Sequence, residues 1–170
     1  RLDRATSGCL ILAKKRSVLK SLHEQLVNHQ LEKRYIALVK DTWSKKKHTI
    51  DAPIYQNSRY SVIDSKGKES LSHFHPIKNF QLGDFSASLV EVLIETGRTH
   101  QIRVHLSHLG HPLVGDTLYG GKTNADIQRQ ALHAHKLGFI HPMTGETCEW
   151  QLPLPSDIRQ AVSAMGLSYN

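Results

Sequence analysis

Cysteine is scarce in this sequence, with Cys9 and Cys148 the two among 170 residues. They do not make the closely spaced pair of a zinc site. So few in a domain of this size argue for a reducing cytoplasm rather than a disulfide scaffold. Long apolar runs are missing too: no window approaches the ~18 consecutive apolar residues of a membrane-spanning helix. Acidic residues are outnumbered, 15 against 22 lysines and arginines, giving a net charge of +7 and a pI near 9.5. That imbalance points to a polyanion, nucleic acid before an acidic membrane surface, though a basic protein can also be merely soluble. Internal repeats and low-complexity linkers are absent from the pattern. What remains is a globular composition, 39% hydrophobic and 22% charged, in a length that suits one domain with its own core.

The local patterns predict an α+β fold with a mixed, mainly antiparallel sheet and flanking helices. CLILA, residues 9–13, reads as a short buried strand. A helix follows, with Ser17 as N-cap and Leu19, Leu22 and Leu26 on one stripe. YIALV, 35–39, reads as a second strand. DTWSKKKH, 41–48, is basic and wet. HTIDAPIYQ can be a strand that Pro53 limits or breaks. Residues 57–71 read as a loop, SHFHPIKNF as a weak strand, and 86–96 as the strongest strand of the chain. Gly97 then turns into a helix from about Thr99, ended by Gly110 and Pro112. Residues 113–123 form a glycine-rich loop, and 126–133 carry a short helical pattern. A hairpin turns at PMTGE. The last helix faces Ile158, Val162 and Met165 inward and stops at Gly166.

Four stretches can carry chemistry. In RLDRATSG, residues 1–8, Asp3 lies between Arg1 and Arg4. Guanidinium neighbours keep a carboxylate ionised and nucleophilic, but a salt-bridged surface turn reads the same way. In ETGRTHQIRVHLSHLGHP, residues 95–112, a strand and a glycine lead into a helix start crowded with donors: Arg98, His100, Gln101 and Arg103. That is a place for an anion, either a phosphate or a buried carboxylate such as Asp3. His100, His105, His108 and His111 lack the HExxH spacing of a metalloprotease, which favours solvated or phosphate-facing histidines over metal ligands. In EKRYIALVK, Lys33 and Arg34 precede Tyr35, which either fills the rim of a sheet or stacks on a base. Lys45, Lys46 and Lys47 beside Trp43 read as a solvated loop or as a phosphate-tracking patch with a stacking ring.

Taken in order, RLDRATSG, KRYIALVK, TGRTHQIRVH with GHPLVGDTLYG, and FIHPMTGE resemble the signatures of the RluA-type pseudouridine synthases, most closely the ribosomal large-subunit synthase C branch. The likeness covers most of the chain. It implies the pseudouridine synthase catalytic fold and isomerisation of uridine to pseudouridine in RNA, with large-subunit ribosomal RNA as the expected target. A tRNA target and a non-catalytic RNA-binding module of the same fold are the alternatives. Asp3 then matches the family's essential aspartate. Tyr35 matches the tyrosine under the target uracil, and Arg103 the basic partner of the aspartate, with Arg98 the other candidate. Arg1 matches the arginine that fills the gap left by the flipped base. Arg1, Arg4, Lys33, Arg34, Lys45, Lys46, Lys47, Arg98 and His100 are the expected RNA-binding set. The family works without metal, redox or organic cofactors. The expectation is a cytoplasmic, monomeric protein that meets RNA and no membrane. Two departures stand out. The histidine that usually precedes Arg1 is not in the sequence, and Ala5 stands where relatives often carry an acid. The branch also carries an S4-like RNA-binding domain and the first strands of the catalytic domain ahead of this point. Residues 1–170 are therefore expected to be a catalytic domain truncated at its N-terminus.

Overall fold

The computed structural model describes residues 1–44, 46–124 and 126–166, apart from the side chain of Leu82. In chain order the elements are β1 (Ser7–Gly8), α1 (Arg16–Val27), β2 (Glu32–Lys40), β3 (His48–Asp51), β4 (Ile54–Gln56) and β5 (Ser61–Ile63). Then come β6 (Leu71–Leu82), β7 (Phe85–Ile94), α2 (Gln101–His108), a 3-10 turn (Thr117–Tyr119), β8 (Leu132–Ile140), β9 (Thr147–Gln151) and α3 (Ser156–Ala164). One sheet runs β1-β8-β2-β7-β6-β3, with β9 sharing the outer edge of β8 with β1. The β1–β8 pair is parallel and the other pairs are antiparallel. This is the α+β, mainly antiparallel architecture that the sequence pattern predicts.

The centre of the sheet is covered on both faces, which is why YIALV and 86–96 are nearly continuous apolar runs. Side chains alternate along a strand. Ile36, Leu38, Ala87 and Leu89 face α3, packing with Ile158, Ala161 and Val162. Ala37, Val39, Val90 and Val92 face α2, packing with Ile102 and Leu106. α3 buries an apolar stripe and leaves its polar side to water, whereas α2 also buries the polar side chains of Gln101, Arg103 and His105. The site lies on the α2 side.

Two irregularities shape the sheet. On β6, Pro76 pairs with Val90 and Lys78 with Leu89, so Ile77 is the extra residue of a bulge. A proline that cannot donate to the ladder is accommodated there, and the weak strand of the sequence reading becomes a twelve-residue one. The β2–β8 register also slips, between Arg34 and Ile36. β8 there uses one residue more than β2, and the slip is centred on Tyr35.

Several local expectations are corrected. CLILA is not a buried strand: β1 ends at Gly8, and Leu12 is 80% exposed. Apolar character alone does not bury a segment that has no strand or helix over it. α1 starts earlier than expected, at Arg16, with Lys15 rather than Ser17 at the N-cap and no side-chain cap bond. Of its expected stripe Leu22 is buried while Leu19 and Leu26 are exposed. The 57–71 loop contains β5, which pairs with β4. The 126–133 helix does not form. Asn124 Oδ1 accepts from the amides of Asp126 and Ile127, a local turn that competes with helix, and β8 starts at Leu132. Trp43 is 4% exposed and packs on Phe74 and His111, so it is core and not a stacking platform.

Candidate active site

The loop that carries Asp3 is pinned from several sides. The Thr6 amide donates to the Asp3 carbonyl, closing a turn in which Ala5 has φ 68°. That left-handed conformation is costly for a residue with a Cβ, and such strain persists only where surroundings hold it. Here Arg129 holds it. Its guanidinium is bidentate to Asp157 at 2.8 and 3.1 Å and also donates to the Ala5 carbonyl and the Ser7 hydroxyl. Gln130 Nε2 donates to the Arg4 carbonyl and Thr6 Oγ1. Gly8, at φ 122°, lies flat on β8: a Cβ there would stand 2.2 Å from the Ala134 carbonyl oxygen. Only glycine permits that approach.

The partner arginine comes from α2. Arg103 Nη1 lies 3.9 Å from Asp3 Oδ2, bridging chain segments a hundred residues apart. Its remaining face is taken by Asp116, which accepts from Nε at 2.7 Å and from Nη2 at 2.8 Å. The side chains of Asp3, Arg103 and Asp116 are 20%, 8% and 1% exposed, so the buried end of the chain is Asp116. Charge-assisted forks of this kind fix orientation as well as charge. The Tyr119 ring lies under the guanidinium, 4.9 Å from its centroid to Cζ, adding a cation–π contact. Burial works to lower the Arg103 pKa, but Asp116 and Asp3 together outweigh it and the group is held above its ordinary value.

Asp116 is carried in by the segment after α2. That segment runs along the end of β2, with the Lys40 amide donating to Pro112 and the Val114 amide to Leu38. Gly115, at φ 80°, then turns so close to residue 129 that a Cβ would lie 2.0 Å from the Arg129 carbonyl oxygen. Tyr119, in GDTLYG, accepts at its hydroxyl from the Ser61 amide, and the same hydroxyl is hydrogen-bonded to His100 Nδ1 at 2.7 Å. His100 is itself left-handed (φ 57°) and precedes α2, so it does not share a helical face with Arg103. Burial, then the Arg103 charge, lowers its pKa, which favours the neutral ring.

A cavity of roughly 320 Å³ opens beside Asp3, lined among others by Arg1, Lys33, Tyr35, Arg98 and Ile102. Tyr35 projects into it from the register slip on β2. Burial, then the Asp3 charge, pushes its phenol up to about 12. A second cleft of about 510 Å³ adjoins it through Arg1, Gly97 and Arg98, and adds Tyr55, Lys66 and Lys68. Arg1 Nη2 donates to Thr99 Oγ1 at 2.7 Å. Arg98 Nε donates to the Glu69 carbonyl. Gln101 spends all its polar capacity on Thr96, Arg98, Leu71 and Ser72, fastening this loop to β6.

Asp3, Tyr35, Arg103, Arg1, Lys33, Arg98 and His100 thus converge. Arg4 is exposed and meets the site through its backbone carbonyl. Arg34 is on the opposite face of β2, paired with Glu32 and Glu91, because alternation turns it away from Tyr35. Lys46 and Lys47 are exposed before β3 and line neither cavity; Lys45 lies outside the described residues. His105 is not solvated: it is fully buried between Ser72 and the Ala52 carbonyl. The steadying cation on Asp3 is Arg103, not the adjacent Arg1 or Arg4.

Two human proteins share this architecture. RNA pseudouridylate synthase domain containing 1 superposes with TM-score 0.75 at 29% identity, over 99% of this chain and 79% of that one. Domain containing 4 gives 0.80 at 22% identity over 99% and 75%, a likeness of fold. The family described as RNA pseudouridylate synthase matches residues 1–108, and the chain belongs to that family. The uncharacterised RNA pseudouridine synthase YlyB of Bacillus subtilis is 44% identical over 95% of this chain and 53% of its own length. Ribosomal large subunit pseudouridine synthase C of Yersinia pestis is 42% identical over 97% and 54%. The chain spans about half the length of these curated relatives.

Proposed function

We propose that residues 1–170 act as the catalytic domain of an isomerase that converts uridine to pseudouridine in RNA, with large-subunit ribosomal RNA as the substrate. The observation that carries this reading is the Asp3–Arg103–Asp116 chain, whose Asp3 end lines a basic cavity shared with Tyr35. Relatives named for the ribosomal large subunit, synthases C and D, support the target. Two free cysteines suit a reducing cytoplasm.

In this reading a uridine leaves its stack at a cost of a few kcal/mol and enters the cavity. Arg1 fills the space it vacates. Lys66, Lys68 and Arg98 follow the phosphates. Asp3 acts at the sugar, as nucleophile or as base, with Arg103 aiming its carboxylate. The N1–C1′ bond breaks, the base turns, and C5 joins C1′ with loss of the C5 proton. Tyr35 supports the detached uracil as a neutral phenol. With its pKa near 12, it takes a proton only by passing on its own.

The test is a comparison of transcripts. The protein is incubated with large-subunit rRNA and with tRNA, and nuclease digests are analysed for pseudouridine. The proposal expects product in the rRNA. Product in tRNA alone would move the substrate, and RNA binding without any product would leave a binding module in place of an enzyme.

A further inference from the structure

Lys33 is the anomaly of the cavity. It sits two residues before Tyr35 on β2, so both side chains project from the same face of the strand. Its ammonium nitrogen is shielded from solvent and has no hydrogen-bond partner. A Cβ placed on Gly97 would stand 3.7 Å from that nitrogen, so bare backbone closes the space beside it. Leaving a buried cation unpaired is expensive. The other titratable or charged groups on the cavity wall are Arg1, Asp3, His23, Tyr35 and Arg98. Asp3 is turned toward Arg103, and Arg98 repels the amine. An unpaired ammonium beside a guanidinium is a site waiting for negative charge.

The position of the amine indicates which charge. Phosphates of a bound strand stay at the rim, where Arg1 and Arg98 join the outer cleft. The Lys33 nitrogen is shielded from water next to Gly97, in the wall of the cavity that Asp3 and Tyr35 also line and that the base would enter. We propose that Lys33 is a catalytic residue of the isomerisation, its ammonium stabilising the negative charge of the uracil as it leaves C1′. This rests on the isomerase reading of the site. When the N1–C1′ bond breaks, its electron pair departs with the base and spreads over N1, O2 and O4. No proton moves to or from Lys33 in this step. When C5 attacks C1′, that pair forms the new bond, the charge disappears and the amine is released. The role is the same whether Asp3 works as nucleophile or as base.

Burial, then the Arg98 charge, lowers the Lys33 pKa to about 8. The amine is charged below that pH and neutral above it. The experiment is steady-state kinetics of the protein on rRNA transcripts from pH 6 to 10, for wild type, Lys33→Met and Lys33→Arg. Losing a buried donor to developing charge costs about 100-fold or more in kcat. Lys33→Met is expected to lose that much with KM within about threefold, the signature of transition-state rather than uniform binding. Wild-type kcat/KM, which reports the free enzyme, should fall as pH rises through about 8. That fall should vanish in Lys33→Met and move to higher pH in Lys33→Arg, which also recovers part of kcat. A purely structural lysine would not move the pH profile between two folded variants. A change confined to KM would make Lys33 a phosphate contact and overturn the role, as would unchanged kcat. If Lys33→Met fails to fold, a wild-type profile flat through pH 8, or one that Lys33→Arg does not shift, overturns it equally. Wild-type turnover is the reference: its absence refutes the isomerase reading, whereas normal turnover with an indifferent Lys33 refutes only this role.

Discussion

Replacing Asp116 with alanine should damage stability and turnover together. Asp116 accepts two short bonds from Arg103, and both side chains are almost completely buried. Removing one member of a buried pair costs about 3–5 kcal/mol, because the other charge is left desolvated and unpaired. Arg103 would not be wholly abandoned. Its Nη1 stays near Asp3 and its face stays on Tyr119, so the lower end of the range, about 3 kcal/mol, is expected. For a domain of this size that is a Tm drop of roughly 6–12 °C. Freed from Asp116, the guanidinium can swing onto Asp3. A displacement of about 1 Å at a catalytic group is enough for a loss on the order of 100-fold in kcat. Asp116→Asn, which keeps one acceptor but not the charge, should fall between wild type and alanine. Calorimetry and single-turnover pseudouridine formation read the two effects. A Tm within about 1 °C of wild type with full turnover would refute the reasoning, since it would mean that Arg103 needs no second carboxylate.

Gly8→Ala places a methyl 2.2 Å from the Ala134 carbonyl oxygen, so β1 must leave β8. A loss of at least about 2 kcal/mol in urea denaturation is expected, and an unchanged midpoint would contradict the described contact. His105 and His133 are buried, and burial lowers the pKa of both below the ordinary 6.5. The unfolded chain therefore binds protons first as pH falls. The stability from these neutral rings is complete above pH 6.5 and is lost below it, by up to about 1.4 kcal/mol per pH unit for each. Urea midpoints at pH 7.5, 6.5 and 5.5 should decline, less steeply in His105→Gln; a flat series would contradict the assignment. Affinity for rRNA fragments should fall steeply between about 50 and 200 mM salt, as counterions are released. A flat response in filter binding would exclude phosphate tracking by the Arg1, Lys66, Lys68 and Arg98 cleft.

The sheet was legible wherever hydrophobic pattern and burial coincide. β2 and β7 are buried on both faces, so their runs announce them. β6 was harder to see because Pro76 interrupts a pattern that the bulge at Ile77 repairs. CLILA misleads for the opposite reason: its composition is that of a core strand, but nothing among the described residues covers Leu12. Within the site, Asp3, Tyr35 and Arg103 were readable as chemistry-bearing types, and the motifs they stand in give them candidate roles. Asp116 and Tyr119 were in plain view in GDTLYG, yet that glycine-rich stretch looked like a loop. What makes them part of the site is the path of 112–116 along β2, a tertiary fact. Arg129 was equally hidden, since its partners Ala5, Ser7 and Asp157 are scattered along the chain. Arg34 shows the converse: it is adjacent to Tyr35 in sequence but on the other side of the sheet.

Asp3→Asn removes the carboxylate charge while keeping nearly the same shape. The protein and this variant are incubated with RNA tritiated at uracil C5, and release of tritium to water is followed beside RNA affinity. Wild type is expected to release the label. The variant should release none while its Kd stays within a few fold. Continued release by the variant, or loss of its RNA binding, would contradict the assignment of the chemistry to Asp3.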